Sequence, residues 1–351
     1  MNPRTIKIGN RQIGENFPAF IIAEAGVNHN GDPDLAHKLI DAASDAGCDA
    51  VKFQTFKTDD VVTKDAPKAE YQKITTGEEE SQHEMIARLE LAPQVFESLQ
   101  KHALEKGLIF MSTPFDVESA DLLEKLEVPV FKIPSGEITN PLLLRHVARK
   151  GKPILMSTGM ANLGEVEAAM KLLSEGGARE IALFQCTSNY PTRPEDVNLR
   201  AMMTLRDKVN IPVGLSDHSE GIEIAIAAIG MGANMIEKHL TLDNDMHGPD
   251  HRASMQPDLF AAMVSSIRKV EKAMGSGLKE PANSEAGVAR VARRSLVASR
   301  NLPEGTVLTE EHIKFMRPGT GISPVDMDKV LGKTLNKAIE QDHLITMEVL
   351  N

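Results

Sequence analysis

Apolar runs of six to eight residues recur along the chain, and amphipathic stretches separate most of them. The runs are AFIIAEAG (19–26), AVKFQTF (50–56), LIFMSTP (108–114), VFKIPS (130–135), PILMSTG (153–159), IALFQCT (181–187), PVGLSDH (212–218) and NMIEKHL (234–240). Their length and β-branched content predict strands. Between them lie stretches such as DLAHKLIDAASDAG, PQVFESLQKHALEKG and LGEVEAAMKLLSEGG, with apolar residues at i, i+3, i+4 and i+7 and a closing glycine. That spacing predicts helices. Eight strands alternating with helices over about 250 residues predict an α/β fold, the (β/α)8 TIM barrel. A doubly wound sheet is the rival, but it would carry a glycine-rich phosphate turn after its first strand. AEAGVNHNG is not such a turn, and Gly332-Lys333-Thr334 lacks the earlier glycine of a P-loop.

Two segments break the alternation. Residues 57–90 are long and polar, which in a barrel predicts a lid or binding loop. MGSGLKEPANSEAG (274–287) reads as a linker. Beyond it come short β-like runs (SLVAS, TVLT, IKFMRP, HLITMEVL) cut by PEG, PGTG and SP. The expected organisation is a catalytic barrel over 1–274, a linker over 275–289 and a small β-rich domain over 290–351. A core of about 60 residues is marginal alone, so that domain should dock onto something.

Charge and composition narrow the function. The 351 residues carry a formal charge of −11, and residues 290–351 hold +1 of it. An acidic chain argues against nucleic-acid binding, which needs a basic face, but leaves room for a small anionic substrate. Cys48 and Cys186 are the only cysteines, which fits a reducing, cytoplasmic setting and forbids a disulfide framework. With no Trp and two Tyr, aromatic platforms for sugars or single strands are scarce. The N-terminus is polar and mixed, so no signal peptide is expected. The apolar stretch around 224–236 is too short for a membrane span.

In a barrel, catalysis sits at the C-terminal strand ends. These ends read Glu24; Lys52 with Gln54; Ser112-Thr113; Lys132 with Ser135 and Glu137; Ser157-Thr158; Thr187-Ser188; Asp217-His218; and Lys238-His239. A lysine inside an apolar strand is costly unless it faces a polar mouth. Lys52 and Lys132 with the hydroxyls therefore predict an anion site. His218 and His239 end the seventh and eighth strands, with Asp217 and Glu237 beside them. Two neighbouring imidazoles predict a divalent-metal site with open positions. His247 and His251 in HGPDH form a weaker cluster, and its Asp250 is a candidate hydroxyl binder. Cys186 reads as core.

These same stretches (AEAGVNHNG, VKFQT, STPF, KIPSGE, CTSNYPT, GLSDHS, EKHLT, GPDH) closely resemble the N-acetylneuraminate (sialic acid) synthase family. The tail's RPGTGIS resembles that family's antifreeze-like (SAF) domain. The resemblance covers nearly the whole chain. It implies condensation of phosphoenolpyruvate with a 2-acetamido-mannose-type sugar, N-acetylmannosamine, to give a nonulosonate and phosphate. A 2,4-diacetamido-2,4,6-trideoxyhexose, giving legionaminic or pseudaminic acid, is the alternative. It implies Mn2+ or another divalent ion such as Mg2+ or Co2+, held by His218 and His239. Phosphoenolpyruvate would lie on Lys52, Thr113, Lys132, Ser135, Ser157 and Ser216. The sugar would lie on Glu24, Gln54, Gln72, Tyr190, Asp250 and Arg317. Arg317 would enter the barrel of a second subunit in a domain-swapped homodimer. Glu24, Glu137 and Lys132 are the implied catalytic groups. In some members an asparagine follows the threonine of the CTxxYP motif; here Ser188 does. That difference and the 57–90 segment lie where sugar identity would be set.

Overall fold

A computed structural model describes residues 5–77 and 79–351. Residues 1–4, included in the expected barrel domain, and Glu78 of the polar segment lie outside the described residues. Packing divides the chain into a unit ending at Gly275 and a unit from Ser276 to Asn351.

The first unit opens with an antiparallel hairpin, β1 (Thr5–Ile8) and β2 (Arg11–Gly14). Eight parallel strands follow: β3 (Phe20–Gly26), β4 (Ala50–Thr55), β5 (Ile109–Pro114), β6 (Phe131–Ile133), β7 (Ile154–Ser157), β8 (Ile181–Cys186), β9 (Val213–Asp217) and β10 (Met235–His239). All eight fall within the expected apolar runs. They pair in the order β5-β4-β3-β10-β9-β8-β7-β6, and β5 lies beside β6, so the sheet closes almost completely into a barrel. First and last strands meet in register, Phe20 opposite Met235 and Glu24 opposite His239. Helix starts are fixed locally. Asp32, Asp116, Asn140 and Asn162 each accept a hydrogen bond from a backbone N–H of the first helical turn, satisfying an otherwise unpaired donor.

Strand side chains alternate between two surroundings. Outward residues such as Ile21, Ala23, Val51, Phe53 and Ile236 pack against the helices in one large apolar layer. Inward residues near the strand starts, including Phe20, Ile22, Met111, Leu155, Phe184 and Met235, form a second cluster inside the barrel. Ile6, Ile8 and Ile13 of the hairpin join that cluster and are almost fully buried. The hairpin is thus a plug under the barrel floor. At Gly214 a Cβ would collide with the Met235 carbonyl, so only glycine fits that crowded interior position. Further along the strands the inward residues become polar, and that change makes the site.

Residues 57–90 differ from the expected loop. They form three short helices, Thr58–Val61, Glu70–Thr76 and Gln82–Ala87. Lys68 ties the end of the second helix to the turn that follows it: its buried ammonium donates to Thr76 Oγ1 (2.9 Å), the Gly77 carbonyl (3.0 Å) and Glu80 Oε1 (2.9 Å).

The second unit opens with a short turn of helix (Asn283–Glu285), inside the segment read as a linker, and the helix Ala286–Ala292, which runs from that segment into the expected C-terminal domain. β11 (Ser295–Ala298) and β12 (Ile313–Met316) then pair antiparallel. TVLT and HLITMEVL do not form strands. They contribute single bridges instead, Val307–Thr334, Val297–Leu344 and Leu335–Leu350. The unit has its own small core around Leu296, Leu308, Val330, Leu335 and Ile345. Among the described residues, no helix is long and apolar enough to cross a membrane.

Candidate active site

The polar layer lies inside the barrel toward the C-terminal strand ends. Lys52 on β4 donates to Thr113 Oγ1 (2.9 Å) and pairs with Glu24 Oε2 of β3 at 2.7 Å. Lys132 on β6 donates to Ser157 Oγ of β7 (2.7 Å), and its ammonium lies 5.4 Å from the centre of the Phe184 ring. Between the lysines stands Glu237 of β10. Its Oε1 is 3.3 Å from Lys132 and 3.7 Å from Lys52, and it accepts from Ser216 Oγ at 3.2 Å. Its Oε2 is buried without a partner. Gln54 donates to Glu24 Oε1 at 3.2 Å. Glu24, Lys52 and Lys132 are each only 2% exposed, so these charges answer to one another rather than to water.

Burial and charge then set protonation. Burial raises Glu24 more than Lys52 lowers it, leaving its carboxyl at about 7. Burial also works against ionised Glu237, yet Lys132 and Lys52 outweigh it and hold the carboxyl below its ordinary value. Lys132 is lowered, by burial first. Lys52 is raised, because Glu237 and Glu24 overcome its burial. Two cations therefore face one firm carboxylate and one readily protonated carboxyl.

An aromatic layer covers this cluster. His218 Nδ1–H donates to the Thr187 carbonyl at 2.7 Å, which leaves Nε2 as the acceptor facing Tyr190 Oη at 3.0 Å. His239 has a buried Nδ1 without a partner. The two imidazole centres are 5.3 Å apart. Burial and the neighbouring cations keep His239 well below its usual range, so it is neutral. Tyr190 stacks on His218 at 4.2 Å and meets His239 edge-on at 5.1 Å. An unpartnered nitrogen on His239 and a His218 Nε2 held by the Tyr190 hydroxyl, which an incoming ion would displace, suit a divalent ion. Among the described residues no group of three or more His, Cys, Asp or Glu could hold a metal. Such an ion would therefore take its remaining ligands from water and substrate oxygens.

The structure brings together Glu24, Lys52, Gln54, Thr113, Lys132, Ser157, Tyr190, Ser216, His218 and His239. Ser135 reaches the rim, where it accepts from the Gly159 N–H at 2.9 Å. A Cβ on Gly159 would collide with both Ser135 Oγ and Ser188 Oγ, so this glycine lets the two hydroxyls converge. Asp250 is buried, and burial raises its carboxyl to about 6. Glu137 accepts from Asn140 Nδ2 at 2.6 Å rather than joining the lysines. Gln72 spends its amide locally, on the Ala69 N–H (3.0 Å) and Tyr71 Oη (3.3 Å). Tyr71 of the 57–90 segment reaches the barrel mouth, stacking on Tyr190 at 5.3 Å. Arg317, in the second unit, is exposed and donates through Nε to the Ala292 carbonyl at 3.0 Å.

Three outcomes depart from the strand-end reading. Lys238 and Asp217 do not face the mouth; they pair with each other on the helix side of the barrel. His251 is tied to Thr241 Oγ1 (2.7 Å) and Asn30 Oδ1 (3.1 Å), which makes it part of a buried loop network. Glu237 sits at the centre of the layer, between Lys52 and Lys132. Alternation was the available signal: 237 and 239 share a face, and 238 does not. A broad groove of about 1690 Å3 lies at the opposite end of the barrel. Its Arg11 and Arg268 are neutralised by Asp49 and Glu271.

Buried lysines, carboxylates and imidazoles on one inner layer of a parallel barrel, at its C-terminal end, define a barrel enzyme. Residues 39–279 match the NeuB family, and residues 293–350 match the SAF domain. N,N'-diacetyllegionaminic acid synthase of Campylobacter jejuni is 47% identical over 327 residues, covering 93% of this chain and 98% of that protein. Human N-acetylneuraminate-9-phosphate synthase is 35% identical over 345 residues, covering 97% and 95%. The crystal structure of N-acetylneuraminic acid synthetase from Leptospira borgpetersenii aligns with a TM-score of 0.72 at 36% identity, over 81% of this chain and 94% of that one. The chain belongs to the NeuB family and ends in an SAF domain. It is an enzyme, a synthase of the transferase type.

Proposed function

We propose that this enzyme condenses phosphoenolpyruvate with 2,4-diacetamido-2,4,6-trideoxymannose, giving N,N'-diacetyllegionaminic acid and phosphate. The observation that carries the reaction is the pair of buried lysines sharing Glu237 on the inner face of the barrel. Phosphoenolpyruvate carries roughly −2.5 to −3 charges. Its phosphate and carboxylate would replace the internal carboxylates as partners of Lys52 and Lys132, with Thr113, Ser135, Ser157 and Ser216 completing the oxygen shell.

His218, through Nε2, and His239 would hold the divalent ion, Mn2+ or a similar cation. When bound, that ion would act as a Lewis acid toward the sugar's aldehyde. The chain's own groups do the rest. Tyr190, Gln54 and Asp250 orient the sugar so that its open-chain aldehyde faces the enol C3. As C3 attacks, positive charge develops at C2. Glu24, half-ionised near neutrality, lies close enough to the lysine layer to offset it. Water then adds at C2, and phosphate leaves with cleavage of its C–O bond. Glu137 is half-buried and bonded to Asn140, which leaves Glu24 the better placed carboxylate.

Support for the diacetamido sugar comes from the 47% identity to the legionaminate synthase along almost its entire length. N-acetylmannosamine is the second reading, favoured by the sialic acid synthetase structure. Phosphate release under competing sugars separates the two. The expected result is a higher kcat/KM for the diacetamido sugar. Preference for N-acetylmannosamine would reverse the assignment, and no release with either sugar would end the synthase reading.

A further inference from the structure

We propose that Lys238 and Asp217 form a buried clasp behind the barrel wall that holds the His218 imidazole in place, and with it the spacing of His218 and His239. The inference rests on the reading of these histidines as the metal pair. Lys238 and Asp217 are register partners on β10 and β9, each immediately preceding one of the histidines. Their side chains point outward, away from Glu237 and the lysine layer, and are 4% and 0% exposed. Lys238 Nζ is 2.7 Å from Asp217 Oδ2 and donates to the Ser219 carbonyl at 2.6 Å. Asp217 Oδ1 accepts from Ser219 N–H (2.9 Å) and Ser219 Oγ (2.6 Å). One ammonium thus holds the Asp217 carboxylate on one side of His218 and the Ser219 carbonyl on the other, while sitting next to His239 on its own strand.

A buried ion pair is a poor device for stability, because desolvation offsets most of the attraction; its better-attested use is to fix register. This pair has the geometry for that use. β9 ends at Asp217, so His218 lies just beyond the sheet ladder that would otherwise hold it. The Thr192 N–H to His218 carbonyl bond (2.8 Å), the ring bond to Thr187 and the Tyr190 hydroxyl and ring stacked against the imidazole are its other tethers. Without the clasp, the 217–219 turn can pivot about them, and the imidazole loses its aim. Lys238 is accordingly a positioning residue, acting through its neighbours without touching substrate. Partners that orient metal-binding histidines typically change metal affinity about 10- to 100-fold when removed.

The test uses the full chain with Lys238→Met, which keeps the length of the side chain and removes its charge. Asp217→Asn is the second variant if that protein fails to fold, since it keeps an acceptor for Ser219 and loses only the ionic partner. In metal-free protein labelled with 15N-histidine, the His218 Nδ1–H should give a slowly exchanging signal in the wild type. In the variant that signal should exchange rapidly or vanish, while circular dichroism and phosphoenolpyruvate binding stay as in the wild type. Free Mn2+ counted by electron paramagnetic resonance should then show a Kd raised about 10- to 100-fold. An unchanged His218 signal together with unchanged Mn2+ affinity overturns the clasp. Failure of the wild type to bind Mn2+, or equal binding by His218→Ala, overturns the metal reading instead. In that case the metal-free histidine signal alone decides for or against the clasp.

Discussion

Glu237 and the two lysines around it show how the charge balance of the site responds to single substitutions. Lys52→Ala and Lys132→Ala each delete a cation facing the substrate's anionic groups, worth about 1.5–3 kcal/mol as charge-assisted bonds. KM for phosphoenolpyruvate should rise roughly 10- to 100-fold in each, with a much smaller change for the sugar. Wild-type KM values in both would remove the anion-site assignment. Glu24 carries a pH prediction. Its folded value of about 7 exceeds its ordinary 4.5, so the stability it contributes is full below about pH 4.5 and lost as pH rises through about 7. Glu24→Gln lacks this dependence. The melting temperature of the wild type minus that of Glu24→Gln should therefore fall between about pH 5 and pH 8; a flat difference refutes the raised value. Most of these residues could be read from sequence because a charged residue inside an apolar run is conspicuous. Glu237 was harder, since EKH packs three polar residues together and only strict alternation tells which two look inward. Tyr71 could not be read at all: nothing in KAEYQKI marks a ring that stacks on another 119 positions away.

Two elements add parts that the barrel pattern does not contain. The hairpin buries Ile6, Ile8 and Ile13 against the barrel floor. Ile8→Ala should cost about 2–5 kcal/mol, as a large-to-small change in a closed core, and should lower the denaturant midpoint without altering KM. Loss of activity at unchanged stability would contradict a purely structural plug. Its alternation, Ile6 and Ile8 before a Gly-Asn turn and Ile13 after it, was present in the sequence. Interleaved Lys7 and Arg11 gave the stretch a polar look, and its partner surface exists only once the barrel closes. The 57–90 helices roof the opposite end through Tyr71. Tyr71→Ala removes the stack on Tyr190, so KM for the sugar should rise while that for phosphoenolpyruvate stays put. The reverse pattern would place Tyr71 over the anion layer. These helices escaped sequence reading because each is shorter than eight residues, too short for a periodic pattern.

For the whole molecule, the family resemblance implies an assembly to test, a swapped homodimer in which Arg317 would serve a second subunit. Mixing Arg317→Ala with His218→Ala chains should then restore activity above that of either alone, because mixed dimers hold one sound site. Exchange proven by mass with no recovered activity would place each site within one chain. The barrel's closure has a further consequence, for biosynthesis. β3 is made before the other seven barrel strands, and its seven residues are all buried in the finished fold. Its partner on one side, β10, is made roughly two hundred residues later. At about 5–20 residues per second, a nascent chain carries that apolar edge unpaired for some ten to forty seconds. A ribosome making this protein must therefore shelter an adhesive strand until the last one emerges. Chains cut short before Asn234 should accumulate as aggregates, however well their remaining helices form.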